Sequence, residues 1–167
     1  GKGEICMKTL VIGAAIIDII MKIKRLPKSG EDILCSETVS AVGGCAYNVA
    51  GTLRGFGVDH DLFVPVGRGM YGDMIAGDLE KLGYQILIRE EESDNGYCLC
   101  LVEEDGERTF ITVKGAEGRF RPSWFEQLSQ YAYDSIYVAG YQVCGTSGGG
   151  ISDWMAGAKD RICLLYT

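Results

Sequence analysis

Apolar residues recur along this chain with two periods, which predict alternating strands and helices. Met7–Gly13 is a short apolar run that closes on glycine, which is typical of a buried strand in a parallel sheet. Residues 46–53 carry apolar side chains at i, i+3, i+4 and i+7, which predicts a helix with one buried face. A second helix is predicted to begin within 71–73 and to end at Gly83, between strands over 61–66 and 84–88. One side of this helix is predicted to carry Met74, Ile75, Leu79 and Leu82. This alternation predicts parallel βαβ units.

The remaining segments predict a second, smaller sheet and one more α/β layer. Strands over 19–26 and 33–42 flank a Pro-Lys-Ser-Gly turn, and strands over 96–102 and 108–113 flank an acidic turn that contains Asp-Gly. A helix over 122–130 leads into a strand over 134–139. After a glycine-rich connection, another helix begins at Ile151. The expected class is α/β.

Composition narrows the function classes. The 167 residues are 47% apolar and fit one globular domain, and a net charge of −7 argues against a nucleic-acid partner. The apolar run Leu10–Met21 is interrupted by Asp18 and is too short for a membrane span. The seven cysteines form no Cys-x-x-Cys pair and His60 stands alone, so we expect no metal site, reduced thiols and a cytoplasmic protein.

The segment Gly43-Gly44-Cys45-Ala46-Tyr47-Asn48-Val49-Ala50 is the strongest candidate for a ligand site. A glycine pair lets the backbone approach a ligand closely, and the first turn of a helix has unpaired N–H groups. Asn48 lies off the apolar stripe, and an amide can donate to a hydroxyl and accept from one. This combination favours a polyhydroxylated ligand, although a tight strand-to-helix turn alone would also explain the glycines.

The pattern Gly-Gly-x-Ala-x-Asn-x-Ala, followed by Gly57 and Gly67, resembles the first signature of the ribokinase or PfkB carbohydrate-kinase family. The resemblance covers Met7 to about Ala139. It implies a Rossmann-like three-layer ribokinase-type α/β fold with a small β-sheet lid, built from strands within about 19–42 and 96–113. Only the N-terminal half of such a fold would be present.

The resemblance also implies a set of substrate-binding residues. Asp18 follows Gly13 at the spacing of a Gly-x-x-x-x-Asp element that binds sugar hydroxyls, although an Asx-capped turn would give the same residues. Alternate residues of the later lid strands contact sugar in the family, although small residues packing a sheet face are an equal alternative. The residues expected to bind substrate are Asp18, Gly43, Gly44, Cys45, Asn48, Cys98, Cys100 and Thr112.

The implied activity is transfer of the γ-phosphoryl group of ATP to a hydroxyl of a sugar or nucleoside, with Mg²⁺ neutralising phosphate charge. In the family the base is the last Asp of Asp-Thr-x-Gly-Ala-Gly-Asp, and this motif does not occur between Gly1 and Thr167. No catalytic residue is therefore expected in this chain. We expect an inactive sugar-binding half, with ATP and Mg²⁺ bound mainly elsewhere; a non-catalytic sugar-binding remnant is the alternative.

A dinucleotide-binding oxidoreductase is disfavoured, because Gly-x-Gly-x-x-Gly does not follow the first strand.

The sequence does not determine which sugar or nucleoside is the substrate. Ribokinase has Lys at the position of Cys45 and Glu near Gln142, so the neutral residues here argue against ribose and leave another hexose, a keto-sugar acid or a nucleoside. Glu117 replaces the amide of the family's Gly-Ala-Asn turn. Lids in this family often mediate dimers, so the resemblance also allows a homodimer formed through the lid.

We predict that the residues at both ends of this sequence are non-native. Residues 1–6 precede the first strand without a structural role, and we expect translated upstream DNA or a tag remnant there. Residues 163–167 match what a sequencing adaptor encodes in one frame. On this interpretation residues 7–162 are the N-terminal part of a carbohydrate-kinase domain.

Overall fold

The computed structural model describes residues 8–129, 132–144, 148–157 and 163–166, so the predicted leader over 1–6 lies outside them. Within these ranges the strands are β1 (Thr9–Ile12), β2 (Ile16–Lys22), β3 (Glu37–Gly43), β4 (His60–Phe63), β5 (Pro65–Val66), β6 (Ile88–Arg89), β7 (Tyr97–Val102), β8 (Arg108–Val113), β9 (Ser135–Val138) and β10 (Cys163–Tyr166). The helices are α1 (Cys45–Gly55), α2 (Met70–Lys81), α3 (Gly140–Val143) and α4 (Gly148–Ala156), with 3-10 helices at Ala116–Gly118 and Pro122–Gln127. None of the helices described here is long and apolar enough to cross a membrane.

A four-stranded parallel sheet in the order β10-β9-β1-β4 forms the centre of the fold. In β1, Leu10, Val11 and Ile12 are fully buried. A strand inside a parallel sheet is covered on both faces, so a continuous apolar run is the expected sequence and the predicted first strand is confirmed. Cys163–Tyr166, predicted as part of a non-native tail, pair with β9; their origin stays a prediction.

Helical elements cover both faces of this main sheet. On one face Val11 and Leu62 pack with residues of α1 and α2. On the other face Ile12 and Phe63 pack with Phe125 and with residues of α4. The alternation of side chains along each strand sends neighbouring residues to opposite faces, so both clusters draw on the same strands. The predicted three-layer arrangement is confirmed.

A second four-stranded sheet, called here the small sheet, has the order β3-β2-β7-β8. β2 pairs antiparallel with β3 and parallel with β7, and β7 pairs antiparallel with β8. The four predicted strands are therefore present and adjacent. Ile17, Ile19 and Val42, on one face of this sheet, pack in the core cluster that contains α1 and α2.

The first strand of the small sheet begins three residues earlier than predicted. It runs over Ile16–Lys22 rather than 19–26, so Asp18 lies inside β2 and not in a loop just beyond β1. Ile17 is fully buried, which explains why the strand begins so soon after β1. The next strand begins at Glu37 rather than at residue 33, because Leu34 is 92% exposed and packs against no core.

The helix predicted after Gly44 is confirmed as α1, with Ala46 and Ala50 buried and Val49 and Leu53 partly buried against the core. The second predicted helix is α2, which begins at Met70. Its Ile75 and Leu79 are buried as expected. By contrast, Met74 was predicted on the same side and is 40% exposed.

Four other predictions need correction. The strand over 84–88 is reduced to β6, because Tyr84, Ile86 and Leu87 pack against the two cores without pairing in a sheet. The strand over 61–66 is divided into β4 and β5, and the pair β5–β6 is parallel as expected. The helix over 122–130 is a 3-10 helix that ends at Gln127. Of the connection over 145–150, residues 145–147 lie outside the described chain and 148–150 begin α4.

Candidate functional site

A cavity of about 410 Å³ lies where the small sheet meets the carboxyl end of the main sheet. This volume falls within the range of sites for small molecules, and ligands of open α/β sheets bind beyond the carboxyl ends of the strands. Its lining residues are Ala14, Ile16, Gly44, Cys45, Cys98, Phe110, Thr112, Lys114, Glu117, Gly118, Phe120, Tyr141 and Gln142. Four of the residues predicted from sequence are among them, namely Gly44, Cys45, Cys98 and Thr112.

One face of the small sheet forms a wall of this cavity. The register places Asp18 beside Cys98, and Cys98 beside Thr112, so the three side chains share that face. The Thr112 hydroxyl donates to Cys98 Sγ at 3.5 Å. Cys100 lies two residues further along the same face and is buried, outside the lining of the cavity. The predicted residues of β2, β7 and β8 are thus gathered on one surface.

The Asp18 carboxylate lies against Gly43. A Cβ atom at Gly43 would collide with Asp18 Oδ2, so this carboxylate occupies the space that a side chain would take. Burial raises the pKa of the Asp18 carboxyl above its usual value. No described lysine, arginine or histidine forms an ion pair with Asp18. Its oxygens therefore retain capacity to accept hydrogen bonds from a ligand.

Gly44 and Cys45 begin α1 at the edge of the cavity. Gly44 has φ 104° and ψ 150°, a conformation restricted essentially to glycine, and a Cβ there would lie 2.5 Å from the Ala14 carbonyl oxygen. The N–H of Asn48 donates to Gly44 O at 3.0 Å, which leaves the earlier N–H groups of α1 without partners inside the helix. Gly44 thus allows a close approach between α1 and the segment after β1, and the predicted close approach to a ligand stays a prediction.

Asn48 is not brought into this cavity. It is exposed on α1 and lines a second cavity of about 320 Å³, together with residues of α1 and the segment after α2. One helical turn separates it from Cys45, which lines the first cavity. Its contact with a ligand stays a prediction.

Gln142 supplies an unsatisfied acceptor to the cavity. Its Oε1 atom is buried and has no hydrogen-bond partner among the described residues. A buried polar atom without a partner costs free energy, so a ligand hydroxyl that donates to it would gain from the pairing. Gln142 lies in α3, just beyond the carboxyl end of β9.

We did not predict from the sequence that aromatic residues and a lysine would line the cavity. Phe110, Phe120 and Tyr141 supply aromatic surface, and Lys114 supplies the cation. The alternation of side chains that places Phe110 and Thr112 on one face of β8 continues to Lys114. Following this alternation two residues further would have predicted that Lys114 lies on the same face.

Glu117 holds the wall of the cavity together. It is 4% exposed and accepts hydrogen bonds from the backbone N–H of Gly96 at 2.8 Å and of Gly115 at 2.9 Å. The Asn95 side chain approaches it at 3.5 Å. Where the resembling family has an amide, this chain therefore uses a carboxylate to join the start of β7 to the turn after β8.

Replacement of Glu117 by Gln is expected to lower the free energy of unfolding by about 1–2 kcal/mol, because two charge-assisted hydrogen bonds become neutral and one amide N–H₂ faces N–H donors. Chemical denaturation measures this difference. The matched control is Glu126→Gln, since Glu126 is exposed. Equal effects of the two substitutions would contradict the bracing role of Glu117.

Comparison with known proteins defines the family. The family model for pfkB family carbohydrate kinases matches residues 7–149. The chain belongs to this family. An uncharacterized sugar kinase of Escherichia coli (strain K12), YegV, is 37% identical over 151 residues, which are 90% of this chain and 47% of that protein. This chain thus spans about half the length of that relative.

Solved structures of pfkB-type kinases share the fold. Ribokinase from Giardia lamblia superposes with a TM-score of 0.82 at 20% identity, over 96% of this chain and 54% of that one. Ribokinase from Arabidopsis thaliana in complex with ribose and ATP gives 0.74 at 21% identity, over 96% and 52%. The fold is therefore of the ribokinase type, and this chain corresponds to about half of each.

Proposed function

We propose that this chain is the sugar-binding part of an ATP-dependent kinase that transfers the γ-phosphoryl group to a hydroxyl of a sugar or nucleoside. Membership of the pfkB family supports the reaction class. The observation that carries the assignment of substrate binding to this chain is the cavity itself, which combines a partly buried carboxylate nearby, a glycine-only backbone edge and an unsatisfied amide oxygen.

Each polar group has a proposed role. Asp18 accepts hydrogen bonds from two substrate hydroxyls and orients them, and Gln142 Oε1 accepts from a third. The backbone at Gly43 and Gly44 allows the sugar ring to approach α1, where Cys45 contacts it. Cys98 and Thr112 form the facing wall, and Cys100 lies behind them on the same face of the small sheet. Asn48 would join this set by turning toward the cavity from α1.

ATP and Mg²⁺ are proposed to bind mainly to protein outside this sequence, together with the carboxylate that accepts the hydroxyl proton. The described residues group no three His, Cys, Asp or Glu side chains that could hold a metal ion. We assign this chain the positioning of the acceptor hydroxyl. In phosphoryl transfer, positioning and charge stabilisation supply most of the catalysis. By itself, the chain is proposed to be inactive.

The substrate is proposed to differ from ribose. The neutral side chains of Cys45 and Gln142 line the cavity where ribokinase carries charged ones. A hexose, a sugar acid or a nucleoside remains as the acceptor. We place the protein in the cytoplasm, because Cys35, Cys45, Cys98 and Cys100 are thiols rather than disulfide partners.

A homodimer through the small sheet is a further proposal. Apolar side chains of its two outer strands are exposed, among them Val39, Phe110, Ile111 and Val113. Exposed apolar surface on edge strands favours association. Light scattering on the full-length protein distinguishes a dimer from a monomer.

Substrate-dependent ADP release by the full-length protein tests the kinase proposal. A panel of hexoses, sugar acids and nucleosides is supplied with ATP and Mg²⁺, and ADP is followed by a coupled assay. We expect ADP release that requires one panel member. A protein that binds a panel member without releasing ADP would instead be a non-catalytic sugar-binding protein.

Substrate affinity is expected to fall as the pH is lowered through the raised pKa of Asp18. The ionised carboxylate accepts hydrogen bonds, and protonation removes part of this capacity. Since burial raises this pKa, the loss begins at a higher pH than for an ordinary aspartate. Calorimetric titration at several pH values measures the effect. Asp18→Asn, which cannot ionise, should bind weakly and without this pH dependence; the same dependence in that variant would contradict the assignment.

A further inference from the structure

Of the two charged residues that line the cavity, one is already hydrogen-bonded within the protein and the other forms no ion pair with a described residue. Glu117, the acidic lining residue, is buried and already accepts hydrogen bonds from Gly96 and Gly115. Lys114 is the cation of the lining, and it forms no ion pair with any described acidic residue. The carboxylate is thus engaged in the wall, whereas the ammonium group is available to a ligand.

The backbone at Lys114 is fixed by hydrogen bonds in the turn that follows it, and its aliphatic stem lies over that turn. It directly follows β8 and precedes a turn in which Ala116 donates to the Asp94 carbonyl at 2.9 Å and Gly115 donates to Glu117. Its aliphatic stem lies over Gly118, since a Cβ atom there would be 3.4 Å from Lys114 Cβ and 3.6 Å from Cδ. A lysine with a packed stem and a fixed backbone loses less entropy when its ammonium group binds an anion.

The other polar groups of the cavity lie on different elements. Gln142 is on α3, next to Gly13 at the end of β1, and Cys45 is at the start of α1. Lys114 belongs to the turn after β8, on the small sheet's side of the cavity. Aromatic side chains at Phe110, Phe120 and Tyr141 supply the surface around them. The cavity therefore brings Gln142, from the main sheet's side, and Lys114, from the small sheet's side, to one space.

We propose that the acceptor substrate carries an acidic group, a carboxylate or a phosphate, which pairs with the Lys114 ammonium. This inference rests on the proposed function and narrows its substrate class to acidic sugars. Lys114 is an exposed residue of the lining, so a ligand anion can reach its ammonium group, and the apolar surface beside it strengthens the attraction between the two charges relative to open water. A neutral sugar or a nucleoside would leave Lys114 without a partner.

Matched pairs of ligands test this inference without relying on catalysis. Gluconate is compared with glucose, and ribose 5-phosphate with ribose, by calorimetric binding to the full-length protein in the absence of ATP. We expect the acidic member of at least one pair to bind about 10- to 100-fold more tightly than its neutral partner, which corresponds to one hydrogen-bonded ion pair. The pair that shows the preference distinguishes a carboxylate from a phosphate. Added salt should weaken this preference.

Three variants locate the effect at Lys114. Lys114→Met should remove the preference while leaving the neutral ligands unaffected, and Lys114→Arg should retain most of it. Lys24→Met, which removes an exposed lysine outside the cavity, should change nothing. Equal binding of acidic and neutral members, tighter binding of the neutral members, or an equal loss for both in Lys114→Met would overturn the inference.

The outcome is separable from that of the kinase proposal. Acid-selective binding that depends on Lys114, without ADP release, would uphold this inference and refute the kinase. ADP release with neutral sugars and no acid preference would refute this inference and leave the kinase intact.

Discussion

Replacement of Asp18 by Ala in the full-length protein is expected to raise the KM for the acceptor substrate by roughly 100-fold. The carboxylate lies against Gly43 on the wall that contains Cys98, has no ion-pair partner among the described residues, and retains its acceptor capacity for substrate hydroxyls. Hydrogen bonds to a charged group are worth more than neutral ones, so their loss should dominate the binding of a polyhydroxylated ligand. Steady-state kinetics on the purified variant measures the change.

The control for this prediction is Asp32→Ala, because Asp32 is an exposed aspartate that lines neither the cavity of about 410 Å³ nor that of about 320 Å³. It should leave KM unchanged. The melting temperature of Asp18→Ala should stay near that of the wild type, since a partly buried carboxylate without a partner contributes little to stability. An unchanged KM in Asp18→Ala would remove Asp18 from the substrate site.

Replacement of Gly44 by Ala is expected to lower the free energy of unfolding by about 2–4 kcal/mol and to impair substrate binding. The residue adopts φ 104° and ψ 150°, which costs a side-chain-bearing residue about 1–3 kcal/mol, and the added Cβ would press on the Ala14 carbonyl oxygen. Relief of that contact requires movement of α1 away from β2, and this movement would change the cavity. Chemical denaturation and substrate titration measure the two effects.

Gly77→Ala is the matched control, since Gly77 lies within α2 and an added Cβ would meet no atom within 4 Å. Alanine is favoured over glycine in a helix by about 1 kcal/mol, so this variant should be slightly more stable than the wild type. Destabilisation of similar size in both variants would show that the Gly44 backbone has no special role.

Local patterns in the sequence predicted the elements that depend on local physics. The stripe of Ala46, Ala50 and their neighbours predicts α1 because a helix buries residues three and four apart, and the structure confirms it. The continuous apolar run of β1 similarly predicts a strand buried on both faces. Tyr84, Ile86 and Leu87 are also apolar but pack without pairing in a sheet, and composition does not distinguish these two outcomes.

Within the small sheet, the sequence predicted which residues of a single strand share a face, but not how the strands pair with one another. Cys98, Cys100 and Thr112 could be assigned to faces by alternation, and the structure places them on one face. The parallel pairing of β2 with β7, which sets Asp18 beside Cys98, joins residues 80 positions apart and has no local signal. The role of Glu117 was likewise hidden, because its partner Gly96 lies on another element.

A crystal structure of the full-length protein with its acceptor substrate and a non-hydrolysable ATP analogue tests the central claim most directly. The account predicts a sugar in the cavity between the small sheet and the start of α1, with hydroxyls bonded to Asp18 and Gln142 and one hydroxyl facing the γ-phosphate. A sugar bound away from this cavity, or bound without contact to Asp18, would contradict it.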